Sequence, residues 1–470
     1  MTSDLERTFE TLRSHASVMA RTTASERRAR LRRLRAAVAA HRVELAEAVH
    51  ADFGRPAAET ELAEIHSVLD EIDTALRGLG RWMRPERAGM PLMLFGTASR
   101  IVYEPRGVVL ILAPWNYPIG LVLNPLVAAI AAGNCAVCKP SEKTPHVAAL
   151  LSQMLAACCE AREVAVVEGG PEVAKALLDL PFDHICFTGS TAIGKVVMAA
   201  AAKHLASVTL ELGGKSPAIV DVSADLRAAA ERIAIGKFLN AGQTCIAPDY
   251  ALVPRSLEAS FLEALRAALA SFYGPTEEAR AACPDFARVV DAGHFARLTG
   301  LLDRAVAAGA RVVAGGGRDA GTRYIAPTVL ADVPPSADIM QEEIFGPILP
   351  VLAYETREDA LALIHRLGKP LAMFVFTRER GAADFFIGAT SAGATVINNI
   401  GLHYLHHGLP FGGVGPSGLG SYHGRHGFRA FSHARAVMRQ YEPALIRLFF
   451  PPYRPGSLGQ RVLRLLEKLP

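Results

Sequence analysis

A concentration of charge of one sign is missing from this chain: 50 Lys and Arg stand against 46 Asp and Glu, a formal +4 over 470 residues. A nucleic-acid groove needs its basic residues gathered on one surface, so nucleic acid is excluded as the main partner. The basic run Arg27, Arg28, Arg30, Arg32, Arg33 and Arg35 is threaded by Leu31, Leu34, Val38, Leu45 and Val49 at helical spacing and followed by Glu44 and Glu47. It reads as a solvated helix face, not a transit peptide. A long unbroken apolar run is also lacking, because Asn124, Pro125 and Gly133 interrupt Ile119–Val137. That stretch suits a buried helix followed by a buried strand better than a membrane span. No cleavable signal with an apolar core begins the sequence. The seven cysteines are odd in number, lie mostly in apolar runs such as 134–138, and include no pair at metal-ligand spacing with partners. A disulfide framework is thereby excluded, no metal is expected, and reduced thiols in a cytoplasmic compartment fit best. Finally, no strand-to-helix turn carries the Gly-x-Gly-x-x-Gly fingerprint of standard dinucleotide binding.

What is present is a long alternation of short β-rich and helical runs. The first 80 residues show amphipathic helical spacing near Leu5–Met19, Glu26–Val49 and Glu59–Leu79, and Ser99–Glu104 then alternates like a hairpin arm. From Gly107, strand-like runs at Val108–Leu112, Cys135–Cys138, Val164–Val167, His184–Phe187 and Val208–Leu210 alternate with helical ones, which predicts an α/β fold with a parallel, doubly wound sheet. A second α/β segment starts near Ser216, with strands at Tyr250–Val253, Ala310–Val313, Pro350–Tyr354, Ala372–Phe376 and Thr395–Ile397. At this length two or three domains are expected. Near the end, Leu458, Val462, Leu465, Leu466 and Leu469 form an apolar helical stripe beside Arg461, Arg464 and Lys468. Packing on a partner subunit or the same chain is favoured over lying on a membrane.

Polar islands interrupt this apolar pattern where chemistry is expected. Asn240-Ala241-Gly242-Gln243-Thr244-Cys245 follows a helix predicted from about Asp225, and a cysteine after a tight glycine turn can present its sulfur as a nucleophile. Taken alone it would be a buried structural thiol. With Asn116, in Pro114-Trp115-Asn116-Tyr117-Pro118, and Glu211, in Glu211-Leu212-Gly213-Gly214-Lys215, it completes a nucleophile, an amide donor and a carboxylate base for covalent catalysis on a carbonyl. After a buried strand, Lys139-Pro140-Ser141-Glu142 can hold a ribose diol, and the turn Phe187-Thr188-Gly189-Ser190 opens a helix whose start suits a pyrophosphate. The paired acids Glu342 and Glu343 read as a solvated loop on spacing alone. Histidines 403, 406, 407, 423, 426 and 433 flank a glycine-dense loop, 409–418, and read as surface or pocket-rim groups, since no carboxylate or cysteine is interleaved with them.

These motifs, in this order, resemble the aldehyde dehydrogenase superfamily over nearly the whole chain: Pro114-Trp115-Asn116, Lys139-Pro140-Ser141-Glu142, Phe187-Thr188-Gly189-Ser190, Glu211-Leu212-Gly213-Gly214, Gly242-Gln243-Thr244-Cys245 and Glu343-Ile344-Phe345-Gly346-Pro347. The phrases 242–250, 410–415 and 420–424 are similar to the class 3 branch, which includes aromatic, fatty and coniferyl aldehyde dehydrogenases. The resemblance implies a modified Rossmann cofactor domain (1–80 and 102–213), an α/β catalytic domain (214–413), oligomerisation or bridging segments (81–101 and 414–440), a tail (441–470) and a homodimer. It implies NAD(P)-dependent oxidation of a small-molecule aldehyde through a thiohemiacetal and a thioester. Cys245 would attack, Asn116 with the Cys245 N–H would hold the oxyanion, and Glu211 would activate the hydrolytic water. Lys139 and Glu142 would hold the adenosine ribose, Ser190 the pyrophosphate, and Glu343 with Phe345 the nicotinamide side; Trp115, Gly189, Gly194 and Leu212 complete the cofactor set. Glu142 should repel a 2′-phosphate and so favours NAD, although class 3 members often accept NADP as well. A CoA-acylating dehydrogenase and a non-catalytic reuse of the scaffold are the competing readings.

Overall fold

Runs such as Val108–Leu112 are apolar on both faces, which suits strands covered on both sides. In the computed structural model, which describes residues 2–451 and 455–466, this strand is central to a six-stranded sheet. Its order is 418–419, 207–211, 184–188, 108–112, 135–139 and 164–166. All pairs are parallel except the first, where Gly418–Leu419 runs antiparallel to the end of Ser207–Glu211. Val109 and Ile111 pack on the helices Ala24–Ala40, His66–Trp82, Gly120–Ala132 and Pro145–Cys158. Val108, Leu110 and Leu112 face the helices Thr2–Ala20, Pro171–Leu178 and Thr191–His204, so the period-two alternation of one strand serves two cores.

A second sheet of seven strands has the order 311–314, 328–331, 348–354, 250–254, 217–220, 372–376 and 394–397, again parallel but for the first pair. Strands Pro217–Val220 and Thr328–Ala331 were not apparent in the sequence; each is short and buried throughout, so no polar alternation marks it. The helical run expected over Glu26–Val49 is two helices, Ala24–Ala40 and Arg42–Phe53, because His41 leaves helical geometry at φ −101°, ψ 22°. The alternating stretch near Ser99 is the strand Thr97–Pro105, sandwiched antiparallel between Glu86–Ala88 and Ser432–Gln440 in a separate three-stranded sheet. The last described element is the helix Leu458–Leu466, with Leu458 and Leu463 exposed. Lys468 and Leu469 of the terminal stripe lie outside the described residues. No described helix is long and apolar enough to cross a membrane.

The two larger sheets meet at the loop after the helix Leu226–Phe238, whose N-cap Asp225 accepts a hydrogen bond from the Ala228 N–H. Asn240, Ala241 and Gly242 are successively left-handed, at φ 52°, 51° and 74°. A Cβ on Gly242 would lie 2.2 Å from the Gly346 carbonyl oxygen, so glycine is required by close approach as well as by φ. This turn ends the helix abruptly and aims the next residues at the carboxyl ends of the strands His184–Thr188 and Ser207–Glu211.

Candidate active site

The turn leads into Gln243-Thr244-Cys245, and hydrogen bonds hold each residue before the sulfur. The Gln243 amide donates to the carbonyls of Asn240 at 2.9 Å and Arg288 at 3.0 Å, and its Oε1 accepts from the Val290 N–H. Thr244 Oγ1 pairs with the Tyr117 hydroxyl at 2.7 Å. The Asn116 Nδ2 donates to the Gln243 carbonyl at 3.0 Å, which places the amide group beside the cysteine loop. Cys245 itself is only partly covered. Burial, reinforced by the charges of Glu343 and Glu211, pushes its thiol up to about 12.

Glu211 is the last residue of its strand and is almost wholly buried, with neither carboxylate oxygen hydrogen-bonded. Burial raises its pKa well above the ordinary carboxylate value. An unpartnered buried acid is costly, and such groups cluster where proton transfer is required.

Cys245, Glu211 and Thr188 stand in the wall between two cavities. One, of about 250 Å³, is apolar and is walled by residues including Leu62, Tyr117, Ile400, Leu402, Tyr404 and Phe411. The other, of about 470 Å³, is a more polar cleft containing Trp115, Asn116, Gly189, Ser190, Leu212, Glu343 and Phe345. The structure thus brings nine of the residues singled out by sequence to one cleft, Cys245 and Glu211 included. Three do not line it. Gly194 lies beneath Leu212, whose Cδ2 would be 2.6 Å from an added Cβ. Lys139 and Glu142 sit at the end of the strand Cys135–Lys139, where the lysine Nζ donates to the Pro140 carbonyl at 3.0 Å and to Glu142 Oε2 at 3.3 Å. Ser190 caps the helix Thr191–His204 by accepting from the Ile193 N–H.

Of the acids in the 341–347 loop, Glu342 is exposed as its spacing suggested, but Glu343 is partly covered. Glu343 is drawn over Gly213, where an added Cβ would fall 1.9 Å from its Oε2, and burial lifts its pKa to about 8. Arg297 donates to the Glu343 and Ile344 carbonyls, Asp249 accepts from the Ile344 N–H, and Lys215 donates to the Glu342 carbonyl. Phe345 is left-handed at φ 49° and meets Trp115 edge-on at 5.4 Å.

Sequence reasoning missed Arg55 and Glu64, which lack any local signature. Both are fully buried and ion-paired. Arg55 also donates to the Asn116 carbonyl at 3.0 Å, and Glu64 accepts the Ile119 and Gly120 amides at 2.7 and 2.8 Å. The pair therefore grips the Asn116 loop from both ends. The histidine reading also needs correction: His403, His407 and His423 are buried, and His407 and His423 both reach a carboxylate, Glu71, supplied by the distant helix His66–Trp82. Burial works to raise the Glu71 pKa, but hydrogen bonds from the two histidines prevail and hold it near 2. Among the described residues these three side chains are a group whose donor atoms could surround a metal ion, a constellation that spacing in the chain could not show.

Two outcomes follow from this geometry. Arg55→Met strands the Glu64 charge and should lower stability by about 3–5 kcal/mol in urea unfolding; a loss under about 1 kcal/mol would remove the pair from its supporting role. In the cofactor-free protein, Cys245 should react with iodoacetamide slowly at pH 7, with a rate rising about tenfold per pH unit to beyond pH 9 as the thiolate fraction grows. A rate already level below pH 8 would contradict the raised thiol.

Comparison with known proteins agrees with this arrangement. The aldehyde dehydrogenase family profile matches residues 2–437. The chain is 43% identical over 430 residues, 92% of each chain, to the 4,4'-diaponeurosporen-aldehyde dehydrogenase of Staphylococcus aureus. It is 43% identical over 391 residues, 83% of this chain and 84% of the other, to a rat aldehyde dehydrogenase described as dimeric and NADP-preferring. Its fold superposes on a substrate-bound Staphylococcus aureus AldH structure with a TM-score of 0.93 at 40% identity, covering 98% of this chain and 99% of that one. With the profile spanning nearly all of the sequence, the chain belongs to the aldehyde dehydrogenase family.

Proposed function

We propose that this NAD(P)-dependent aldehyde dehydrogenase oxidises a hydrophobic aldehyde, aromatic or of medium to long chain, to its carboxylic acid, with NAD preferred and NADP accepted. The observation that carries the reading is the shared wall: nucleophile and acid face an apolar cavity on one side and a polar cleft on the other. An aldehyde with an apolar tail fits the first side, because burying that tail against Leu62, Leu402 and Phe411 contributes roughly 25 cal/mol per Å².

The cleft fits a dinucleotide. It ends at Gly189 and Ser190, where the first amides of a 14-residue helix have no partner within the helix and favour a phosphate. Lys139 uses two of its three N–H donors within the chain, leaving the third for a ribose hydroxyl beside Glu142. When bound, the dinucleotide supplies the hydride acceptor and a positive ring that favours the charged forms of Cys245 and Glu211. With its thiol proton released to water, the Cys245 sulfur bonds to the carbonyl carbon as the carbonyl π electrons move to oxygen. Asn116 spends one amide proton on Gln243, and its second, with the Cys245 N–H, holds that oxygen. After oxidation leaves a thioester on the sulfur, Glu211 takes a proton from the attacking water, and the C–S bond breaks to release the acid. The unpartnered carboxylate beside the sulfur favours water over CoA as acyl acceptor.

The division into a cofactor domain (1–80, 102–213), a catalytic domain (214–413), bridging segments (81–101, 414–440) and a tail (441–470) is part of this proposal. So is a homodimer using the exposed arm sheet, with the free thiols placed in a reducing, cytoplasmic compartment. Purified protein should form NADH from NAD with cinnamyl-type and C8–C12 alkyl aldehydes at a kcat/KM at least tenfold above that for acetaldehyde. No NADH or NADPH from any aldehyde, or a requirement for CoA, would overturn the reading.

A further inference from the structure

Part of the wall of the apolar cavity is formed by Tyr404 and Phe411, whose rings meet edge-on at 5.0 Å. Both rest on one side chain outside the cavity. The His423 imidazole lies edge-on to Tyr404 at 4.9 Å and to Phe411 at 5.5 Å, and stacks on Tyr422 at 4.6 Å. Tyr422 in turn exchanges two main-chain hydrogen bonds with Phe411, at 2.9 and 3.1 Å. His423 is strained, with φ 82° and ψ 133° at a residue other than glycine. Such a backbone costs about 1–3 kcal/mol and persists only where its surroundings enforce it.

The enforcing group is Glu71. One carboxylate oxygen meets His407 Nδ1 at 2.6 Å and His423 Nδ1 at 3.2 Å, and the other accepts the Gly424 N–H at 2.7 Å. His407 Nε2 lies 3.2 Å from Asp70 Oδ2 of the same helix without forming a hydrogen bond to it. Gly424 has no room for a side chain, since a Cβ there would be 2.3 Å from the His407 carbonyl oxygen. Two chain segments on either side of Phe411, 406–408 and 422–424, are therefore fastened to one helix, His66–Trp82; Phe411 hangs between the fastenings and Tyr404 stands just before the first.

We propose that Glu71, His407 and His423 are positioning residues that set the width of the aldehyde cavity, and thereby select bulky aldehydes over small ones, without touching the reacting atoms. The proposal rests on the functional reading above, and its failure can be told from the failure of that reading. His423→Gln keeps a hydrogen-bond donor for Glu71 but removes the ring on which Tyr404 and Phe411 rest. Its kcat/KM for a C10 alkyl aldehyde, relative to that for propanal, should fall at least tenfold, through KM more than through kcat, while the KM for NAD stays within twofold. His407→Gln should move the ratio in the same direction and serves if the first variant does not fold. Leu302→Ala, in a core that holds no residue of the cavity wall and none of the helix His66–Trp82, is the control for general destabilisation and should leave the ratio unchanged. A ratio that stays constant in both glutamine variants, or that shifts equally in Leu302→Ala, would overturn the positioning role with the activity intact. An inactive wild-type enzyme would overturn both.

Discussion

The main-chain carbonyl of Asn116 holds the site together. It accepts hydrogen bonds from Arg55, in the N-terminal helical layer, and from Asn240, in the nucleophile loop, while the Asn116 side chain donates to Gln243. Three segments distant in sequence are thereby fixed at one residue in an interior that water does not reach. Each bond contributes about 1 kcal/mol net, but leaving any of these buried groups unpaired would cost about 1–3 kcal/mol. That asymmetry makes the arrangement hold its geometry. The left-handed run at 240–242 is tolerated because the hydrogen bonds around it, and the close approach of Gly242 to Gly346, admit no other backbone path.

The same dryness governs the chemistry. Burial raises Cys245, Glu211 and Glu343 together, because each charged form loses solvation in the same enclosed site, and the charges of Glu343 and Glu211 add to the effect on Cys245. An acid with no hydrogen-bond partner is poor for stability and suited to catalysis, because nothing in the chain competes with substrate or water for its oxygens.

Much of this was legible in the sequence. Short motifs at strand ends marked Asn116, Glu211 and Ser190, since chemistry on a doubly wound sheet falls at the carboxyl ends of its strands, and the glycine turn after a helix marked Cys245. What remained hidden depends on contacts between segments far apart in the chain. Arg55 and Glu64 look like ordinary charged helix residues until the fold buries them against Asn116. Glu343 read as solvated because nothing local reveals that Gly213 leaves room for its carboxylate. The histidines after residue 400 read as rim groups because their carboxylate partner comes from the helix at 66–82. The strands 217–220 and 328–331 are short and buried throughout, so no polar alternation marked them.

The central claim is that Cys245 carries the acyl group and Glu211 removes it. The most direct test is a rapid-mix experiment on Glu211→Gln with NAD and a hydrophobic aldehyde, followed by mass analysis of the peptide containing Cys245. A full-size burst of NADH, slow turnover afterwards, and the mass of one acyl group on Cys245 are the predicted result. Undiminished steady turnover, or an acyl group on any other residue, would contradict the account.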